Sequence, residues 1–228
     1  MIDTNVGSAK SLIRLAKQEY AKHGLPGLCS RVWNKANKVL PLPHHQYEWQ
    51  GVDYYRQFSP VVKTVENFNS PESEQLLRSM APDLLILGGS RIIKSNILSI
   101  PKMGVINAHP GLLPKYRGVD VIPWAVLQGD SVGVTVHYVD VGVDTGRICR
   151  NEVVSLQKGD TFEVLARRVE QTAGRLMGSV VAELMENGKL STIENVKQEG
   201  RLYKGMDKAS YRQAKRQLAK RIGKECAG

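Results

Sequence analysis

An α/β fold, with an open, mostly parallel sheet flanked by helices, is what this 228-residue sequence predicts, and three observations predict it. A continuous apolar run, Asp83-Leu84-Leu85-Ile86-Leu87, ends in paired glycines and reads as a strand buried on both faces. Val105-Ile106-Asn107-Ala108-His109 repeats that form after a short helix near Ser95 to Leu98. A long stretch opening at Asp160-Thr161-Phe162-Glu163 then carries apolar residues at helical spacing, and supplies the cover such a sheet needs.

The elements follow in order. Residues 8–37 are rich in Lys, Arg, Ala and Leu, with Leu12, Leu15 and Ala16 before a Gly24-Leu25-Pro26-Gly27 break and Leu28, Val32 and Ala36 after it. This pattern predicts two short amphipathic helices. Leu40-Pro41-Leu42-Pro43-His44-His45 cannot continue a helix, because each proline removes a donor and biases its predecessor to extended backbone. It reads as a linker, with His44 and His45 as linker residues.

Val61-Val62-Lys63-Thr64-Val65 predicts a short strand, and no apolar strand run precedes it. Ser70 and Pro71 then suit the N-cap and first position of a helix. Gly133-Val134-Thr135-Val136-His137-Tyr138-Val139 alternates between turn residues and predicts a further strand. On the long helix, Phe162, Leu165, Val169, Leu176, Val180 and Leu184 form one face that stops at Asn187-Gly188.

Length and charge set the bounds. The chain is long enough for one good core with appendages: a basic helical extension and linker over 1–50, a core over 51–190 and a basic tail over 191–228. No apolar run reaches the length of a membrane span and the start lacks a signal-peptide pattern, so a cytoplasmic location is expected. Cys29, Cys149 and Cys226 are odd in number and lack ligand spacing, which suits a reducing compartment and predicts no metal. The net charge of +10 is concentrated at the two ends, which favours solvated basic faces over a nucleic-acid partner.

The polar residues at the strand ends carry the chemistry, since ligands of open α/β sheets sit at the carboxyl ends of the strands. Asn107 and His109 are two apart and share a face. Pro110-Gly111-Leu112-Leu113-Pro114 then fixes an irregular loop, and Asp140-Val141-Gly142-Val143-Asp144-Thr145-Gly146 brings two carboxylates to the end of another strand. An amide, an imidazole and a carboxylate from separate segments can meet on one atom.

Asn107-x-His109-Pro110-x-Leu112-Leu113-Pro114, Gly133-Val134-Thr135-Val136-His137 and Asp144-x-Gly146 together resemble the signature of the folate-dependent formyltransferases. The resemblance implies a Rossmann-like core and a formyl group taken from 10-formyltetrahydrofolate as co-substrate. It implies Asn107 and His109 as oxyanion donors, with His109 protonated, and Asp144 as an aid to proton transfer. It places the folate against Arg91, Ile92 and Ile93 on one side and Asp140 and Val141 on the other, with Thr135 and His137 in support.

The family normally begins with a strand, a glycine loop and a helix, which here are missing or remodelled. The acceptor implied is a small-molecule amine, foremost an amino sugar on a nucleotide carrier, as in enzymes of polysaccharide biosynthesis; a homodimer is compatible with it. Tyr116-Arg117-Gly118 through Ala125 resembles the tRNA and sugar branches, and a methionyl-tRNA enzyme is expected to carry a further domain of about 100 residues. Only about forty residues follow Gly188. The alternatives are water as acceptor, as in a deformylase, a phosphoribosylglycinamide-type amine, and a non-catalytic folate-binding relic.

Overall fold

The computed structural model describes residues 2–3, 59 and 61–225. The helices expected over 8–37, the linker with His44 and His45, Cys29 and Cys226 lie outside those residues. The chain divides into two compact units, Met1–Leu76 and Leu77–Gly228.

In the first unit, β1 (Ile2–Asp3) pairs in parallel with β2 (Thr64–Val65). The sequence places no strand before Val61, because two residues carry no periodicity to read. The strand expected over 61–65 is likewise shortened to its last two residues. Helix α1 (Pro71–Met80) starts as its residue types dictate: the Ser70 hydroxyl accepts from the Ser73 amide at 3.2 Å, and Pro71 occupies a position that needs no donor.

The second unit is built on a four-stranded sheet of β3 (Leu85–Leu87), β4 (Val105–His109), β6 (Val132–Tyr138) and β7 (Ile148–Val154), in the order β3-β4-β6-β7. β3 and β4 are parallel, while β6 opposes both of its neighbours, β4 and β7. Three of the four strands therefore point the same way. The sheet is mixed and parallel in the majority of its strand directions.

Two strands exchange the burial that their sequences suggest. β3, an uninterrupted apolar run, is only half-buried and leaves Ile86 46% exposed, because among the described residues it is paired on one side alone. β6, which reads as alternating, is buried at Val132 through His137 on both faces. Its alternation of aliphatic with small or polar residues reflects a central strand with one face in the core and the other against the site.

The cover comes from α4 (Phe162–Asn187), which packs across β4, β6 and β7. The Thr161 hydroxyl accepts from the Val164 amide at 3.3 Å, and Gly188 closes the helix in a left-handed conformation with its amide on the Leu184 carbonyl at 2.8 Å. Between these caps the six residues expected to face the sheet are the six that are buried. Each such side chain contributes about 1.5–3 kcal/mol of transfer free energy. Two further helices, α2 (Ser95–Leu98) and α3 (Val121–Leu127), complete the middle of the unit.

The segment after Gly188 is not a basic tail. It forms a short 3₁₀ turn, Lys197–Glu199, then β8 (Arg201–Tyr203), paired in parallel with β5 (Tyr116–Gly118), and then α5 (Lys208–Glu225), packed on α3. Tyr203, Ala214 and Leu218 belong to the same core as Ile106, Val134 and Leu165. Ala214 and Leu218 are one helical turn apart and face inward, so the lysines and arginines between them fall on the outer surface. Among the described residues, no helix is long and apolar enough to cross a membrane.

Candidate active site

β4 ends at the carboxyl edge of the sheet, where it presents Asn107 and His109 on one face. Register with β6 sets Asn107 opposite His137 and His109 opposite Thr135. Thr135 is fully buried and fixes the loop that follows His109: its hydroxyl donates to the Gly111 carbonyl at 2.7 Å and accepts from the Leu113 amide at 3.1 Å. A side chain at Gly111 would stand 2.8 Å from both His109 Nε2 and the Tyr116 carbonyl, which accounts for glycine there.

His109 is buried, with Nε2 2.7 Å from the carbonyl oxygen of Tyr116. A carbonyl only accepts, so Nε2 carries a proton. Nδ1 stands 3.5 Å from Asp144 Oδ2. His137, on the neighbouring strand, has Nδ1 2.7 Å from the Tyr138 carbonyl and Nε2 3.7 Å from Asp144 Oδ1. Its Nε2 is buried and makes no hydrogen bond. Burial lowers the basicity of both imidazoles, more than Asp144 and the carbonyl contacts raise it. Desolvation outweighs the carboxylate, so burial works against the protonated His109 that the resemblance implies.

Asp144 is delivered by the loop between β6 and β7. Its backbone is left-handed, with φ of 51°, and its Oδ2 accepts from the Gly118 amide at 2.8 Å. Gly146 follows where a side chain would lie 1.9 Å from the Tyr138 carbonyl. The Asp140 carboxylate shapes the same loop, accepting from the Gly142 amide at 2.9 Å and the Thr145 hydroxyl at 2.5 Å.

These residues surround a cleft of about 350 Å³. Arg91, Ile92 and Ile93 line one side; Asp140, Gly142, Val143 and Asp144 line the other; Asn107, His109 and His137 form the base. Of the cofactor positions expected from sequence, Val141 lies outside the lining with its side chain 85% exposed, while its neighbours Asp140, Gly142 and Val143 line the cleft. Ile93 is buried, whereas Ile92 is 73% exposed and presents an apolar face at the mouth. Two contributors were not singled out from sequence. Gly118 could have been suspected from its place in Tyr116-Arg117-Gly118, but Asn195, whose amide donates to the Asp144 and Gly146 carbonyls at 3.0 and 2.9 Å, carries no local signal.

Comparison with known proteins decides the lineage. The profile of the family described as Formyl transferase matches residues 32–181, which include every catalytic candidate. The chain belongs to the formyl transferase family. Among curated relatives, the methionyl-tRNA formyltransferase of Koribacter versatilis (strain Ellin345) is 34% identical over 155 residues, covering 63% of this chain and 50% of that protein. The methionyl-tRNA formyltransferase of Anaeromyxobacter dehalogenans (strain 2CP-C) is 32% identical over 154 residues, 67% of this chain and 49% of that one. This formyl transferase chain thus spans about half the length of the curated relatives it matches.

Solved structures of the family agree. The formyltransferase PseJ from Anoxybacillus kamchatkensis, in complex with UDP-4,6-dideoxy-4-formamido-L-AltNAc and tetrahydrofolate, is 30% identical with a TM-score of 0.57, over 70% of this chain and 82% of that one. Phosphoribosylglycinamide formyltransferase from Bacillus halodurans is 26% identical with a TM-score of 0.54, over 68% and 88%. Among the described residues, no group of three His, Cys, Asp or Glu is placed to hold a metal ion.

Proposed function

We propose that this protein transfers the formyl group of 10-formyltetrahydrofolate to a primary amine on a nucleotide-linked amino sugar. One observation carries the reading: an amide, a buried imidazole and a carboxylate from three separate segments meet in one cleft, with His109 Nδ1 3.5 Å from Asp144 Oδ2.

The cleft suits the co-substrate. The apolar side chains of Ile92, Ile93 and Val143 offer flat contacts to a pterin, and the backbone polar groups of the two facing loops offer hydrogen bonds to its edge. The amine attacks the formyl carbon, a C–N bond forms, and the carbonyl oxygen becomes an oxyanion that Asn107 stabilises as a non-titrating donor. The proton lost by the amine passes to Asp144 and His109. Their facing atoms, with His137 Nε2, hold lone pairs and can accept one proton between them. The imidazolium so formed donates to the oxyanion from Nδ1 and then returns the proton to N10 of the folate as the C–N10 bond breaks. Thr135 and His137 hold this arrangement.

The amino-sugar acceptor is supported by the 30% identity to PseJ, which was crystallised with a UDP-formamido sugar and tetrahydrofolate. A second reading, methionyl-tRNA as acceptor, is favoured by the 34% identity to the Koribacter enzyme. Incubation with 10-formyltetrahydrofolate and, separately, UDP- and dTDP-linked amino sugars, phosphoribosylglycinamide, methionyl-tRNA or no amine distinguishes them by product mass and release of tetrahydrofolate. The expected result is a formylated sugar nucleotide. Formylmethionyl-tRNA supports the second reading, and formate without added amine marks a hydrolase. His109→Ala and Asp144→Asn are each expected to lower transfer at least about 100-fold; near-normal rates in both overturn the proposed chemistry.

A further inference from the structure

We infer that Asn195 is a positioning residue for the reaction, acting through the backbone of Asp144. This rests on the catalytic role proposed for Asp144. Asn195 lies beyond α4, in the stretch leading to the 3₁₀ turn, and is 7% exposed. Its side-chain amide donates to two carbonyls of one loop, Asp144 at 3.0 Å and Gly146 at 2.9 Å. Both partners only accept, so the amide has one orientation; reversed, its oxygen would face two carbonyl oxygens. Its Oδ1 is buried without a donor, which costs an unmade hydrogen bond.

The loop needs such a clamp. Asp144 has φ of 51°, a conformation seldom held by a residue with a side chain. Two residues later, Gly146 passes so close to Tyr138 that a side chain would meet its carbonyl oxygen at 1.9 Å. Asn195 ties down the carbonyls on either side of Thr145 and so prevents the peptide after Asp144 from rotating toward the commoner right-handed or extended forms. The antiparallel bridge between Ile148 and Ile193, with amide-to-carbonyl distances of 3.0 and 2.9 Å, fixes the segment from which Asn195 reaches. The carboxylate is then held from both ends: through its main chain by Asn195, and at Oδ2 by the Gly118 amide. Acid–base geometry of this kind tolerates little error, with a displacement of about 1 Å costing on the order of 100-fold in rate.

Asn195→Asp is the informative variant, since it keeps shape and volume but replaces the donor by an acceptor facing two carbonyls. Asn195→Ala removes the clamp without that repulsion. Both are expected to lower kcat about 10- to 100-fold, with KM for 10-formyltetrahydrofolate changed less than about threefold. In the Asp144→Asn background Asn195→Ala is expected to cost less than about threefold further, because the two act as one unit. Full additivity of the two losses overturns the inference. So does a crystal structure of the Asn195→Ala protein in which the carboxylate still lies 2.8 Å from the Gly118 amide, as in the parent. That structure reads the position of Asp144 directly and holds whether or not Asp144 proves catalytic; the rate of Asp144→Asn alone decides the latter.

Discussion

Two imidazoles at the base of the cleft face one carboxylate on its side, and each imidazole spends its one proton on a carbonyl that can only accept. Burial holds both rings below the ordinary imidazole value of about 6.5. Above about pH 6.5 the rings are neutral both folded and unfolded and add no slope to stability. Below it the unfolded chain binds protons that the folded chain refuses, so stability falls with pH until the folded rings also protonate. Thermal unfolding from pH 8 to pH 5 is expected to show a level midpoint followed by a decline below about 6.5, and His137→Gln is expected to remove part of that decline. An unchanged decline in the variant contradicts the burial argument. Cys149 is pushed by its own burial up to about 11, which keeps it a thiol through this range.

Elements, rather than single residues, deliver these groups, and the join between β6 and the loop after β4 is the critical one. Among the described residues, Thr135 supplies the side-chain hydrogen bonds between that strand and residues 110–115. Thr135→Val keeps the shape, strands the Gly111 carbonyl and the Leu113 amide, and is expected to cost about 2–4 kcal/mol in chemical unfolding. A loss below about 0.5 kcal/mol, within the range of neutral surface changes, contradicts that role. What could be read in advance follows the same divide between local and distant causes. α4 was legible to the residue, since Thr161, its apolar stripe and Gly188 lie within one continuous stretch. That Asn107, His109 and Asp144 meet in one cleft was legible through their motif. The openness of β3 was not, because an apolar run states what a strand can bury and not whether a neighbour arrives. The contacts of Gly118 and Asn195 were not, because each joins a residue 26 or 51 positions away, and one partner in each bond is a backbone atom that every residue shares.

At the scale of the whole second unit, the carboxyl-terminal segment is part of the core. Tyr203 stacks on Tyr116 with ring centres 5.2 Å apart and lies 5.4 Å from Trp124, while Ala214 and Leu218 are buried on the inner face of α5. Leu218→Ala is expected to destabilise the protein by about 2–4 kcal/mol in denaturant titration, as for other buried leucines. A solvated tail would show no change. The basic residues of α5 resemble a tail in sequence because their charges occupy the outer face of a helix whose inner face is anchored by few apolar side chains.

The pairing of β5 with β8 has a temporal consequence. The Val119 amide donates to the Tyr203 carbonyl at 3.1 Å, and a side chain on Gly118 would meet that same oxygen at 2.2 Å, so the peptide holding the Asp144 carboxylate is itself held by residues near the end of the chain. A growing polypeptide on the ribosome, folding from its amino end, therefore completes the support of the Gly118 peptide only after Tyr203 has left the exit tunnel. Chains truncated before β8 are accordingly expected to lose the support of the Gly118 peptide, however well their central sheet has formed.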